Sequence, residues 1–393
     1  MKAESKTGWP CHHTDSAQSE MTHWIYIDLI VLAFVILVTG TMIPQILRMA
    51  FRKNLFDTPD QRKIHKTDIP RLGGLAFVPS ILLGMLLLYA IGSVADDGRM
   101  LNALTTNRMP LCCTALGAVI LYATGIVDDL VGVRYSAKFL IQSIAAALVI
   151  IGGLTIDNLD GFCWMYELPF VVSVLLTGLF IVFVINAINL IDGVDGLASG
   201  LGGVACAFYA LVFLNNGLYV YSALAAATLG TMIPFFGFNV FGNSRRHTKI
   251  FMGDTGALVL GLILSVLSIK CFSIKLDPDA ANPAVIAIAP LLIPGFDVVR
   301  VYMHRLRAGR NPFLPDKTHI HHKLLALGLG QKRVMLIIVS VSIALVLLNY
   351  LLSPIVGINV LFLMDLALWI VMNTMLTSAI RQRERRSGTK LYI

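Results

Sequence analysis

Read as apolar blocks and polar breaks, the chain divides into eleven long apolar stretches with short joints. The blocks run about Trp24–Leu47, Leu72–Ile91, Leu111–Val127, Phe139–Ile156, Pro169–Ile188 and Leu197–Leu214. The rest are about Leu218–Phe238, Gly256–Ile274, Pro283–Val301, Val334–Leu352 and Ile355–Ser378. A membrane-spanning helix needs about 20 apolar residues, and each block comes near that length. A spanning β-barrel would instead alternate over segments of about ten residues. The pattern therefore predicts an all-α polytopic membrane protein with about eleven transmembrane helices. Asn215-Asn216-Gly217 and Ser353-Pro354 make joints so short that they imply antiparallel hairpins. A single transmembrane unit over residues 24–378 is expected, with a polar tail at 1–23 and a basic tail at 379–393.

Composition agrees: 56% of the 393 residues are hydrophobic and 14% charged, against ~25% charged in a soluble domain. The net charge of +8 fits basic cytoplasmic joints better than a nucleic-acid partner. Of the 31 Lys and Arg, 25 fall in alternate joints and the C-terminal tail. The positive-inside rule puts those segments in the cytoplasm: loops 48–71, 128–138, 189–196, 239–255 and 302–333, with the amino terminus outside and the carboxy terminus inside. The six cysteines form no C-x-x-C pair, so neither a disulfide framework nor a zinc site is indicated. Met1–His23 carries no signal-peptide pattern.

The polar residues sort by side. Asp96-Asp97 falls outside and reads as a solvated loop. Asp128-Asp129 ends an apolar helix at the inner boundary, where a pair can be merely solvated or part of a site. Asn186 to Gly196 holds Asn189, Asp192 and Asp195 at intervals of three, which a helix would line up on one side. Their loop contains no Lys or Arg, and uncompensated carboxylates beside amides suit a hard cation such as Mg²⁺. Asp254 in Phe251-Met-Gly-Asp254-Thr-Gly256 reads as a helix N-cap, a ligand, or both. The loop from Tyr302 to Arg333 carries Arg305, Arg307, Arg310 and Lys317, then His319, His321 and His322. That set suits phosphate oxygens, or more simply anionic lipid. Asp297 and Arg300 are expected to pair locally, and Asp365, mid-span, to bond another helix.

No P-loop, G-x-G-x-x-G or H-E-x-x-H pattern is placed in the chain. Acids wanting a metal and a basic loop wanting phosphate together describe a site for a metal-bound diphosphate. The expected reaction joins a soluble nucleotide-linked donor to a lipid-borne acceptor. An ion-coupled transporter would put its acids at the midplane in paired broken helices, and a hydrolase would use water as acceptor.

These residues resemble the polyprenyl-phosphate N-acetylhexosamine-1-phosphate transferases, most of all the bacterial undecaprenyl-phosphate N-acetylglucosamine branch. The motifs are Arg62-Lys-Ile-His65 with Pro70-Arg-Leu-Gly-Gly74, Gly125-Ile-Val-Asp-Asp129, Asn186 to Gly196, Phe251 to Gly256, and Pro315-Asp-Lys-Thr-His319-Ile-His-His322. The resemblance implies that Asn189 and Asp254 hold Mg²⁺, with Mn²⁺ as a substitute. It implies that Asp128 and Asp129 lie near the lipid phosphate and that Lys138 contacts the diphosphate. Asp192 and Asp195 would line the nucleotide pocket, and Phe251 would stack on uracil. His319, His321 and His322 would sit near the diphosphate and sugar, with Arg305 in the basic loop beside them. The implied partners are undecaprenyl phosphate, a UDP-N-acetylhexosamine and the bilayer, in a bacterial cytoplasmic membrane, with a homodimer as the assembly. His-Ile-His-His favours N-acetylglucosamine over the N-acetylmuramoyl-pentapeptide donor, whose branch has three consecutive histidines. The implied chemistry is attack of the lipid phosphate on the β-phosphorus, releasing UMP, either directly or through an Asp nucleophile.

Overall fold

The computed structural model describes residues 12–55, 69–274, 281–309 and 318–388. Arg62–His65, Arg310 and Pro315–Lys317, all named above, lie outside the described residues. The helices in order are α1 (His12–Arg52), α2 (Phe77–Val94), α3 (Gly98–Thr106), α4 (Arg108–Val131), α5 (Tyr135–Ile151), α6 (Phe170–Ile191) and α7 (Leu197–Asn215). Then come α8 (Tyr219–Val240), α9 (Gly253–Phe272), α10 (Pro283–Ile288), α11 (Leu292–Arg307), α12 (Ile320–Ala326), α13 (Gln331–Leu352) and α14 (Ile358–Ser387). Among the described residues there is no strand, only an isolated bridge between Asn158 and Glu167.

Among the described residues ten helical stretches are long and apolar enough to cross a membrane, and each coincides with an apolar block of the sequence. The chain is an all-helical, multi-pass membrane protein. The remaining block, expected over Phe139–Ile156, is the shorter α5. It stops at Ile151 because Gly152-Gly153 follows, and Gly153 takes a left-handed φ of 88°. The block at Pro283–Val301 is interrupted between α10 and α11 by a 3₁₀ turn at Ala289–Leu291, where Pro290 has no N–H to donate.

The polar ends also differ from expectation. α1 begins at His12, so half of the amino-terminal tail is helix, and the basic tail continues α14 as far as Ser387. Asp96 is exposed, as a solvated loop requires, but Asp97 starts α3. Its Oδ1 accepts the backbone N–H of Arg99 (3.0 Å) and Met100 (3.2 Å), and its Oδ2 meets His23 Nε2 at 3.2 Å. Asp365 does bond another helix: Asn349 Nδ2 on α13 donates to its Oδ1 at 3.2 Å.

The element that positions the site is α9. Its sequence is apolar all the way round, the pattern of a helix with no outward face, and every side chain from Thr255 to Ile269 is buried. α4 and α6 pack along it. At the periphery Leu37, Leu116, Leu363 and Met375 are each more than half exposed. So broad an apolar surface is a lipid-facing one. The C-terminal ends of α4 and α6 and the N-terminal ends of α5 and α9 meet at one end of this bundle.

Candidate active site

Lys138, in the first turn of α5, is the hub. Its ammonium pairs with Asp128 Oδ2 at the end of α4 and with Asp254 Oδ2 in the first turn of α9. Asp254 Oδ1 accepts from Asn189 Nδ2 on α6 at 3.1 Å, and Asp128 Oδ1 accepts from the backbone N–H of Val133 at 2.6 Å. Four helices therefore deliver one residue each to a single charged cluster. One turn deeper, Asn186 Nδ2 donates to Gln142 Oε1 at 2.7 Å, a second polar rung between α5 and α6. Asp129 faces α9 instead: its carboxylate accepts from Asp254 N (2.8 Å), Thr255 N (2.9 Å) and Thr255 Oγ1 (2.6 Å). Asp254 is thus not the N-cap that its motif allowed. That position is Met252, with no side-chain cap of its own.

Asn189, Asp192 and Asp195 do not share a helix face. α6 ends at Ile191, Asp192 is its C-cap, and the chain turns through Gly196 at φ 76°. Asp195 Oδ2 meets Lys249 Nζ at 2.5 Å, and that ammonium lies 5.9 Å from the centre of the Phe251 ring. Burial pushes the Asp192 carboxyl up to about 7, with Asp254 and Asp195 adding repulsion and Arg71 opposing it. The acids are therefore compensated, by Lys138, Lys249 and Arg71 from other segments. The expectation that they stand unneutralised fails because it was read from one loop.

The three histidines differ sharply. His319 Nδ1 lies 2.8 Å from Asp297 Oδ2 on α11. Asp297 Oδ1 accepts from Ile320 N (3.0 Å) and from Arg300 Nη2 (2.8 Å), which also donates to Thr318 O at 2.5 Å. The expected local pair of Asp297 and Arg300 is present, but its larger effect is to anchor the start of α12. His321 is 1% exposed and stacks on His319 with ring centres 5.6 Å apart. Burial, then His322 and His319, push its imidazole down to about 3, so it is neutral at physiological pH. Its ring rests on the Asp192-Gly193 turn: a Cβ at Gly193 would lie 2.3 Å from His321 Nε2. That contact brings the histidine segment to the acid cluster. His322 is half-buried, with its ring 4.2 Å from that of His321, and Arg305 is buried in the last turn of α11.

Among the described residues no three His, Cys, Asp or Glu side chains gather as a metal-binding group. Asn189 and Asp254 offer one amide and one carboxylate, the sparse protein donor set that Mg²⁺ uses when substrate phosphates supply the rest. The Lys138 ammonium already stands as a cation against Asp254, so the donor chemistry fits a cation at this point.

Two motifs far apart in sequence are stitched by backbone. Phe251 N donates to Pro70 O, Gly73 N to Phe251 O and Gly74 N to Met252 O, each at 2.9 Å. Residues 111–272, which contain most of this site, match the model of glycosyl transferase family 4. A probable undecaprenyl-phosphate N-acetylglucosaminyl 1-phosphate transferase of Bacillus subtilis is 31% identical over 87% of each chain. A decaprenyl-phosphate N-acetylglucosaminephosphotransferase of Mycobacterium tuberculosis is 32% identical over 74% of each chain. An undecaprenyl-phosphate alpha-N-acetylglucosaminyl 1-phosphate transferase of Haemophilus influenzae is 30% identical over 73% of this chain and 76% of its own. The chain belongs to this family of polyprenyl-phosphate N-acetylhexosamine-1-phosphate transferases.

For a transferase of this family, several positioning residues escaped the sequence reading. Gln142 gave a usable signal, a lone amide four residues after Lys138 in an apolar helix. Thr255 sat inside a recognised motif without being singled out. Lys249 and the anchoring role of Asp297 gave none, since each is defined by a partner on another segment.

Proposed function

We propose that this glycosyl-1-phosphate transferase moves N-acetylglucosamine 1-phosphate from UDP-N-acetylglucosamine to undecaprenyl phosphate, releasing UMP and starting a lipid-linked cell-envelope glycan. The observation that carries the reading is Lys138 held between Asp128 and Asp254 beside Asn189, with His321 closing onto the Asp192-Gly193 turn. Such a site has little covalent work to do and much electrostatic work, which is what phosphoryl transfer demands. The relatives' names support the choice of sugar and lipid.

The acceptor phosphate has a second pKa near ~6, so it is largely dianionic at neutral pH and needs no base. Its oxygen attacks the β-phosphorus of the donor, the bond to the UMP oxygen breaks, and UMP departs with that electron pair. Lys138 offers its charge to the diphosphate, and Asp128 keeps that ammonium aimed. His322 donates to the transferred phosphoryl oxygens, while Phe251, Asp192 and the Asp195–Lys249 pair frame the nucleotide. Asn189 and Asp254 would hold Mg²⁺, or Mn²⁺ in its place, whose chemistry there is to neutralise charge on the departing UMP.

The site is assigned to the cytoplasmic face, with eleven crossings and the amino terminus outside. α4 ends at the site, α5 starts there with Lys138, and α6 returns to end there beside Asn189, so short α5 traverses the bundle. Arg383 Nη1 reaches Ala326 O at 3.4 Å, keeping the basic end of α14 on the same side as α12. The concentration of Lys and Arg in these joints supports that side being cytoplasmic.

Purified protein in detergent, given Mg²⁺ and undecaprenyl phosphate, is expected to release UMP from UDP-N-acetylglucosamine and only with the lipid present. Release from another UDP-sugar alone would change the donor, and release without lipid would make the protein a hydrolase.

A further inference from the structure

The neighbours Asp128 and Asp129 have opposite surroundings. Asp128 belongs to the Lys138 cluster, with one oxygen on the ammonium it shares with Asp254 and the other on Val133 N. Asp129 points into the start of α9. The first N–H groups of any helix have no partner within it, and Met252 at the N-cap has no side-chain oxygen to offer them. Asp129 supplies the missing cap from another helix. It takes Asp254 N on one oxygen and both Thr255 N and Thr255 Oγ1 on the other. A carboxylate there also complements the positive end of the helix dipole.

The backbone is shaped for this contact. Gly125, one turn before Asp129 on α4, lies so near α9 that a Cβ would fall 2.3 Å from Thr255 Cα. Gly74 is as close, a Cβ there falling 2.1 Å from Gly256 N by the same measure, and its own N–H is bonded to Met252 O. Both glycines meet the first turn of α9 at Thr255, the residue next to Asp254. Three of the about four acceptor sites of the Asp129 carboxylate are committed to α9.

We propose that Asp129 is a positioning residue: it caps α9 from α4 and so fixes Asp254, leaving Asp128 as the only member of the pair that faces the reacting groups. This rests on the transferase reading for its activity assay, but not for its stability assay.

The test compares Asp129→Asn, Asp128→Asn, Thr255→Val, Thr255→Ser and the double variant Asp129→Asn/Thr255→Val in the full-length protein in detergent. Without substrate, Asp129→Asn and Thr255→Val should lower Tm by a few degrees, while Asp128→Asn, which relieves repulsion with Asp254, should not. With substrate, Asp129→Asn should lower kcat by up to about 100-fold, with the donor KM and the shape of the pH–rate profile retained. Thr255→Val should cost less, Thr255→Ser should restore activity, and the double variant should be no worse than Asp129→Asn alone. Multiplying losses in the double variant, a pH limb that vanishes in Asp129→Asn, or an unchanged Tm in that variant would each overturn the proposal. If Asp129→Asn does not fold, Thr255→Val decides, and wild-type Tm and kcat in that variant would overturn it too. A wild-type protein that releases no UMP sinks the transferase reading, and the Tm comparison then stands alone.

Discussion

Lys138 holds two carboxylates at once, and its removal should be felt more strongly than that of any acid around it. Lys138→Met leaves Asp128 and Asp254 facing each other. Loss of the one charge that balances both carboxylates and meets the diphosphate should lower UMP release by about 100-fold or more. Thermal stability should fall with it and recover in part when Asp128→Asn is added. A different signature belongs to Asp192, whose carboxyl is moved from 3.8 to about 7. Its folded form holds a proton more tightly than the unfolded chain does, so stability is lost as pH rises from about 4 to about 7. Asp192→Asn escapes that loss. Its Tm should exceed wild type at pH 8, with the gap closing as the pH is lowered towards 5; an unchanging gap would contradict the assignment. The histidines show where reading residues by type runs out. His319, His321 and His322 look interchangeable in sequence, yet one is held by Asp297, one is buried and neutral, and one is half-exposed.

At the scale of elements, two acidic residues in apolar spans have different work. Asp297 ties α11 to the start of α12 through His319, Ile320 N and Arg300. Lys323 Nζ then ties α12 to α14 through Asn373 Oδ1 (3.2 Å) and Thr377 Oγ1 (3.1 Å). Burial pushes that lysine down to about 8. The histidine segment is thus braced from both sides. Asp365 makes one bond to Asn349 and touches no part of the site. Asp297→Asn should therefore lower both Tm and UMP release, whereas Asp365→Asn should keep activity and lose little stability. Equal effects of the two, measured side by side, would contradict this division. Most elements were legible because apolar blocks need only local reading. The exceptions within the blocks are local too, but backbone-controlled: α5 stops early at Gly152-Gly153, and α11 is set off from α10 by Pro290; α3 and α12, short helices in segments read as loops, had no apolar block to announce them.

The described helices form a bundle around α9, buried from Thr255 to Ile269, with the candidate site at one end. The motif residues that form the cluster could be named from sequence, because each stands at a helix end beside an apolar block. Their pairing could not, because Lys138 with Asp254 and Asp195 with Lys249 are contacts between segments 116 and 54 residues apart. The sidedness assigned above has its own test. Cys163 is exposed in the joint between α5 and α6, at the end away from the site. As the sole remaining cysteine it should react with an impermeant maleimide in intact cells. A cysteine placed at Arg385 should react only after permeabilisation, and the reverse pattern would invert the topology.

Whether the β-phosphate moves with the sugar is tested by following the phosphorus. UDP-N-acetylglucosamine labelled in its β-phosphate is incubated with undecaprenyl phosphate and either the wild type or Lys138→Met. The expected result is label in the lipid product, unlabelled UMP in solution, and almost no transfer by the variant. Label left on the nucleotide would mean that sugar is transferred without its phosphate, and undiminished transfer by Lys138→Met would remove the cluster from the chemistry.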